Sequence, residues 1–187
     1  MIPLLLSLLL AAAPGAPDGG IVVAKGQRFK AEVASSRPEQ ERGLMYRDSL
    51  DQDRCMIFIY QADGNHAIWM KNCLISLDVV WVKEDGTVVE TSERTPPCSP
   101  IWGDGCPTYG GTVPARHFVE FPVGTLRRIG LKKGDRIGWN LALPDGGKVV
   151  GGLAVPDGPK KPNTMSCAKR KAIGRYSDMK ASGLVET

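Results

Sequence analysis

The stretch from His66 to Val82, HAIWMKNCLISLDVVWV, constrains the fold most, because it places two strand-like apolar runs and the polar residues Lys71, Asn72 and Asp78 within one short span. Side chains of a strand alternate between faces, so Ile68 and Met70 are expected on one side and Trp69 and Lys71 on the other. LDVVWV is rich in β-branched and aromatic residues, and Glu84-Asp85-Gly86 ends it with turn chemistry, so a returning strand is expected from Thr87 to Arg94. Asp78 is anomalous there. A carboxylate at the start of an apolar strand must be solvated, paired or hydrogen-bonded.

The flanking chain supplies further strands. IVVAKGQRFKAEVAS holds two short strands, with Phe29, Ala31 and Val33 alternating with Arg28, Lys30 and Glu32 in the pattern of a half-buried strand. CMIFIY, Cys55 to Tyr60, is apolar throughout and reads as a central strand covered on both faces, with Gln61 to Asn65 as a hairpin connection to the next strand. ARHFVEFP, Ala115 to Pro122, alternates His117, Val119 and Phe121 with Arg116, Phe118 and Glu120. A helical turn at Thr125 to Ile129 and a last core strand through Trp139 follow.

One main helix is expected, from Ser36 to about Tyr46. Ser36 and Glu39 form a capping box, Pro38 suits a first turn, and Gly43 near the end suggests a close backbone approach. Arg42 and Arg47 either bind an anion or neutralise the negative end of this helix. The fold class expected from these elements is α+β: a small β-rich domain at 21–143, its curved, mostly antiparallel sheet or partial barrel carrying the helix.

The termini differ from this core. The apolar run through Ala13 is too short to span a bilayer and reads as part of an export signal over residues 1–17, although it carries no Lys or Arg; an uncleaved anchor or a buried helix is the alternative. Export to the periplasm or outside the cell is therefore the expected destination. Residues 144–187 lack a sustained apolar period and read as a basic extension with at most a weak helix near Cys167 to Tyr176. Lys160, Lys161, Lys169, Arg170 and Lys171 are not interleaved with aromatics, which disfavours nucleic acid as a partner.

The chain has five cysteines. In an exported chain, Cys98 and Cys106 are expected to close the loop PPCSPIWGDGCP with a disulfide. Cys55 and Cys73 are either bridged across an antiparallel pair or are two buried thiols, and Cys167 is left over.

The chemistry on offer is narrow. The sequence has no phosphate-cradling glycine loop, no serine elbow, no HExxH and no CxxC, and its two histidines are too few for a His-rich metal site, so no metal or cofactor is implied. The polar constellation Lys71, Asn72 and Asp78, with Arg42 and Arg47 near the helix end and Trp69 as apolar lining, has the composition of a pocket for a small polar or anionic ligand. The competing reading is a structural ion pair of Asp78 with Lys71 or an arginine. Two further functions stay open: a hydrolase or transferase using Asp78 and Lys71, and an envelope protein that docks a protein partner through the 95–114 loop and the basic tail.

Three segments together, RGLMYRDSL, CMIFIY with IWMKNCLISLDVVWV, and FVEFPVGTLRRIGLKKGDRI, resemble the prokaryotic family called domain of unknown function 192 over roughly residues 28–139. The resemblance implies a small β-rich α+β domain with a single helix against a curved sheet. It carries over the positions Arg42, Gly43, Leu44, Met45 and Arg47, then Trp69 to Asn72, then Asp78. Cys73 stands where the family usually has a small hydroxyl residue, and Cys55 where it usually has glycine.

Overall fold

The computed structural model describes residues 19–98, 102 and 105–155. The leader at 1–17, Cys167, the basic residues from Lys160 to Lys171 and the weak helix near Cys167 to Tyr176 lie outside the described residues.

Strands β1 (Gly20–Ala24), β2 (Gln27–Ala34), β3 (Arg54–Gly64), β5 (Leu77–Val82), β6 (Val88–Thr95), β8 (Ala115–Pro122), β9 (Ile137–Ala142) and β10 (Lys148–Gly152) form one sheet in the order β10-β9-β1-β2-β3-β8-β5-β6. Two-residue strands β4 (Ile68–Trp69) and β7 (Thr108–Tyr109) pair separately. The β2/β3 pair is parallel, with Lys30 opposite Arg54 and Ala34 opposite Phe58, whereas the other pairs of the large sheet are antiparallel. A parallel pair requires a crossover, and helix α1 (Arg37–Arg42) lies in it.

The sheet curls. The turn between β5 and β6 bonds to the chain entering β9 near the other end of the sheet, with Val88 N–H donating to Asp135 O at 2.8 Å and Ile137 N–H to Gly86 O at 2.9 Å. Alternation then divides the apolar side chains between two faces. Cys55, Ile57, Val80, Val82, Val119 and Phe121 point into the curl with Phe29, Leu126 and Trp139. Met56, Phe58, Leu77, Val79, Trp81 and Phe118 point to the outer face, where Leu44, Met70 and Cys73 cover them. Both faces of the central strands are thereby buried, which is why CMIFIY is continuously apolar and LDVVWV is apolar at every position but Asp78.

Several expectations are corrected. The chain is mostly β: α1 has six residues and buries none, and α2 (Thr125–Ile129) has five, so the α+β description holds only loosely. The capping box forms as expected, with Ser36 Oγ accepting from Glu39 N–H and the Glu39 carboxylate accepting from Ser36 N–H at 2.8 Å. The helix stops at Arg42 rather than near Tyr46 because Gly43 has φ 44° and caps it. A Cβ there would stand 3.2 Å from the Phe58 ring, which is the close approach the glycine signalled. No hairpin joins Cys55–Tyr60 to the Trp69 segment. Strand β3 continues to Gly64 between β2 and β8 instead, so Cys55 lies inside the curl and Cys73 outside, and both thiols are free. Strand β10 extends the sheet beyond residue 143, where the sequence pattern fades. The Cys98–Cys106 disulfide forms, with Cα atoms 5.7 Å apart.

Candidate functional site

The outer face holds a cavity of about 460 Å³. Its floor is the outward-facing register of two paired strands, Phe58 and Tyr60 of β3 and Phe118 and Glu120 of β8. One wall is the end of α1 and the turns after it, Gln40 to Met45; the other is the segment of Ala67, Ile68, Trp69, Lys71, Asn72 and Cys73. Phe58 and Phe118 stack with centroids 4.2 Å apart, as cross-strand neighbours in register do. The second wall is pinned from below, where Trp81 Nε1–H donates to His66 O at 2.6 Å and the His66 ring stacks on Tyr60.

Asn72 joins the walls. It adopts φ 57°, a left-handed conformation that asparagine tolerates better than most residues, and its carbonyl accepts from Tyr46 N–H at 2.8 Å. Its side-chain amide points toward Met45 Sδ, 3.8 Å away. Lys71 lays its ammonium over the Trp69 ring, 4.8 Å from the centroid, and the Trp69 ring itself is partly exposed. Arg42, the exposed last residue of α1, stands on the opposite rim.

Glu120 is the residue that sequence reasoning missed. It is 6% exposed, its Oε2 is buried without a hydrogen-bond partner, and it faces the cavity. Burial in this apolar floor pushes its carboxyl up to about 8. Burial, with the Glu120 carboxylate adding to it, pushes the neighbouring Cys73 thiol up to about 12 and raises Tyr60. Such a thiol is not a nucleophile at neutral pH. In the sequence Glu120 belongs to the polar half of an alternating strand; Phe118, two residues earlier on the same face, was the signal that this half is also buried.

The other expected site residues are placed elsewhere by strand parity. Glu32, Met56, Glu120 and Val79 are in register across β2, β3, β8 and β5, so Glu32 shares the outer face with Glu120. Unlike Glu120 it is matched: Arg47 forks onto it with bonds of 2.8 and 2.6 Å, and Arg54 stands at 3.5 Å. Arg47 is therefore held by a buried carboxylate and does not line the cavity, nor does it serve the end of α1.

Asp78 sits between Leu77 and Val79 on β5, and those two face outward, so its carboxylate points into the curl, away from Lys71 and Trp69. There it is fully buried and accepts from Arg94 N–H and Leu126 N–H, each at 2.9 Å. Helix α2 has Gly124 at its N-cap and no side-chain cap of its own, so Asp78 supplies that cap from a neighbouring strand and also holds the irregular register of β5 with β6. The structure thus unites Arg42, Trp69, Lys71 and Asn72 around one cavity and separates Arg47 and Asp78 from it. Asp78→Asn, which turns an NH₂ toward one of the two N–H donors, is expected to cost about 2 kcal/mol in urea unfolding while leaving the outer cavity intact. A change below about 0.5 kcal/mol would remove the capping role.

Comparison with known proteins agrees with this architecture. A crystal structure of a protein of unknown function from Novosphingobium aromaticivorans is 28% identical, with a TM-score of 0.57, over 69% of this chain and 94% of that one. A Sinorhizobium meliloti protein described as a "putative transcription regulator" is also 28% identical, with a TM-score of 0.56, over 64% of this chain and 90% of that one. No curated protein matches. The model of the family domain of unknown function 192, described as an uncharacterized ACR, matches residues 20–139, the span from β1 into β9 that contains every wall of the cavity; the chain belongs to that family.

Proposed function

We propose that the protein is a binding module for a small polar or anionic ligand, held in the outer-face cavity. The observation that carries this reading is the cavity itself. At about 460 Å³ it has the size of a small-molecule site, its floor carries Phe58, Tyr60 and Phe118 with Trp69 in one wall, and a few charged and amide groups converge on it. Lys71 and Arg42 at the rim suit an anionic group, and the stacked phenyl rings suit an apolar body. Asp78 has no part in it.

Export supports the same reading of where the protein works: the apolar start resembles an export signal, and a disulfide between Cys98 and Cys106 is the chemistry of an oxidising compartment. No helix among the described residues is long and apolar enough to cross a membrane.

The test is a thermal-shift panel of small carboxylates, phosphate esters and amino acids, run on wild type and on the double variant Arg42→Ala/Lys71→Ala. A true ligand at about 100 times its Kd adds about 2.7 kcal/mol of stability, a shift of several degrees, and the double variant loses that shift. If no compound shifts wild type, or if the variant responds equally, the cavity is not a ligand site of this kind.

A further inference from the structure

Resting on the pocket reading, we propose that Glu120 is the recognition group for a protonated amine, so that the ligand is a zwitterion: its ammonium meets Glu120 at the floor and its anionic group meets Lys71 and Arg42 at the rim.

Two glutamates share the outer face of the sheet. Glu32 and Glu120 flank Met56 in the same cross-strand row, and both are buried. Glu32 is neutralised within the protein by two arginines. Glu120 has an oxygen with no partner, and that oxygen belongs to a side chain facing an open cavity. A buried acceptor without a donor is destabilising, so a ligand that brings an N–H to it recovers free energy that an apolar floor does not offer. A cationic N–H donor adds charge pairing in a site of low polarity.

The remaining titratable groups around Glu120 do not supply that donor. Tyr60 comes from β3, and Cys73 from the turn after Trp69; both have their ionisation suppressed, with the Glu120 charge among the causes. From α1, Glu41 is engaged by Arg37 at 2.8 Å, and Arg42 stands exposed at the rim. Lys71 lies over the outer Trp69 ring.

Proton balance follows directly. At neutral pH the empty cavity holds Glu120 as the neutral acid. When an ammonium docks, the carboxyl ionises and its proton goes to solvent, so that one O–H bond breaks and an N–H···O hydrogen bond forms. Binding therefore releases up to one proton per ligand, a signature that a merely structural glutamate does not produce.

The experiment uses three probes sharing a phenyl body: phenylalanine, 3-phenylpropionate, which lacks the ammonium, and phenethylamine, which lacks the carboxylate. Titration calorimetry at pH 7 in two buffers of different ionisation enthalpy reads affinity and proton release together. Wild type is expected to bind phenylalanine at least about tenfold more tightly than 3-phenylpropionate. Glu120→Gln, close to isosteric, is expected to bring the two level and to abolish proton release, while Lys71→Ala weakens both carboxylate-bearing probes and spares phenethylamine. If 3-phenylpropionate binds wild type as well as phenylalanine does, with no proton released, the amine assignment is overturned and the pocket reading stands. If none of the three binds at millimolar concentration, the amine assignment falls, and the wider thermal-shift panel decides the pocket separately.

Discussion

Between pH 6.5 and 8 the ligand-free protein is expected to lose roughly 1.3 kcal/mol of stability, and Glu120→Gln is expected to remove that loss. The cause is the carboxyl on the cavity floor. In the unfolded chain Glu120 ionises near 4.5, whereas burial holds it neutral in the fold until about 8. Across that interval the folded state binds the extra proton, so stability falls as pH rises.

His117 has the opposite sign and limits where the effect is visible. It points into the curl, accepts from Tyr60 N–H on Nδ1 at 3.2 Å and packs edge-on to Trp139. Burial, then the charges of Arg116 and His66, push it down from 6.5 to about 4. Between those values the unfolded state binds the extra proton, so stability rises with pH and offsets Glu120. Above 6.5 the remaining protonation of His117 in the unfolded chain offsets only about 0.4 kcal/mol, so Glu120 dominates, and the window closes before the buried thiols of Cys55 and Cys73 begin to matter near 9.0. Thermal unfolding of wild type and Glu120→Gln at half-unit steps checks this. Parallel curves for the two proteins would mean that Glu120 ionises normally in the fold, and would remove its neutral state in the empty cavity.

Removal of the Arg47 guanidinium is expected to have the largest effect of any single truncation near the site. Arg47→Ala leaves Glu32 fully buried with only Arg54, 3.5 Å away, and should cost about 3 kcal/mol, as truncation of one partner of a buried pair does. Arg47→Lys should recover only part, because a single ammonium cannot reproduce the two-pronged contact with both carboxylate oxygens. Glu32→Leu combined with Arg47→Leu should restore most of the loss, since it removes the desolvated charge together with its partner. Urea unfolding of the four proteins measures the coupling. If the double variant is as unstable as Arg47→Ala, the pair is not the source of the loss and packing around Arg47 is.

The two arginines of RGLMYR show why the site was only partly legible. Both lie at a helix end in the sequence, yet Arg42 belongs to the last helical turn and reaches the cavity rim, whereas five residues on the backbone has turned through Gly43 and Tyr46 and Arg47 meets Glu32 on a strand fifteen residues earlier. Spacing along the chain carries no information about that meeting. Asp78 is the converse case. Its position in an apolar strand already required a partner, but which partner depended on β6 and α2 arriving at the same end of β5. Trp69, Lys71 and Asn72 were legible together because their proximity is local, set by one short strand and one turn.

By itself the sequence determined the strands with strong apolar content, the capped start of α1, the turn at Glu84 to Gly86 and the pairing of Cys98 with Cys106, because each depends on residues close in the chain or on a period repeated over a few positions. Tertiary structure alone decided the parallel crossover between β2 and β3, the curl that buries both faces of β3, β5 and β8, and the separation of Cys55 from Cys73. It also decided which carboxylate counts. Glu32, Asp78 and Glu120 are all acidic residues in apolar strands, and what distinguishes them is the neighbour brought opposite: two arginines, two backbone amides, or an open cavity. A carboxylate's ionisation and use are set by the groups within a few ångströms of it, and those groups arrive from distant parts of the chain only when the sheet has closed.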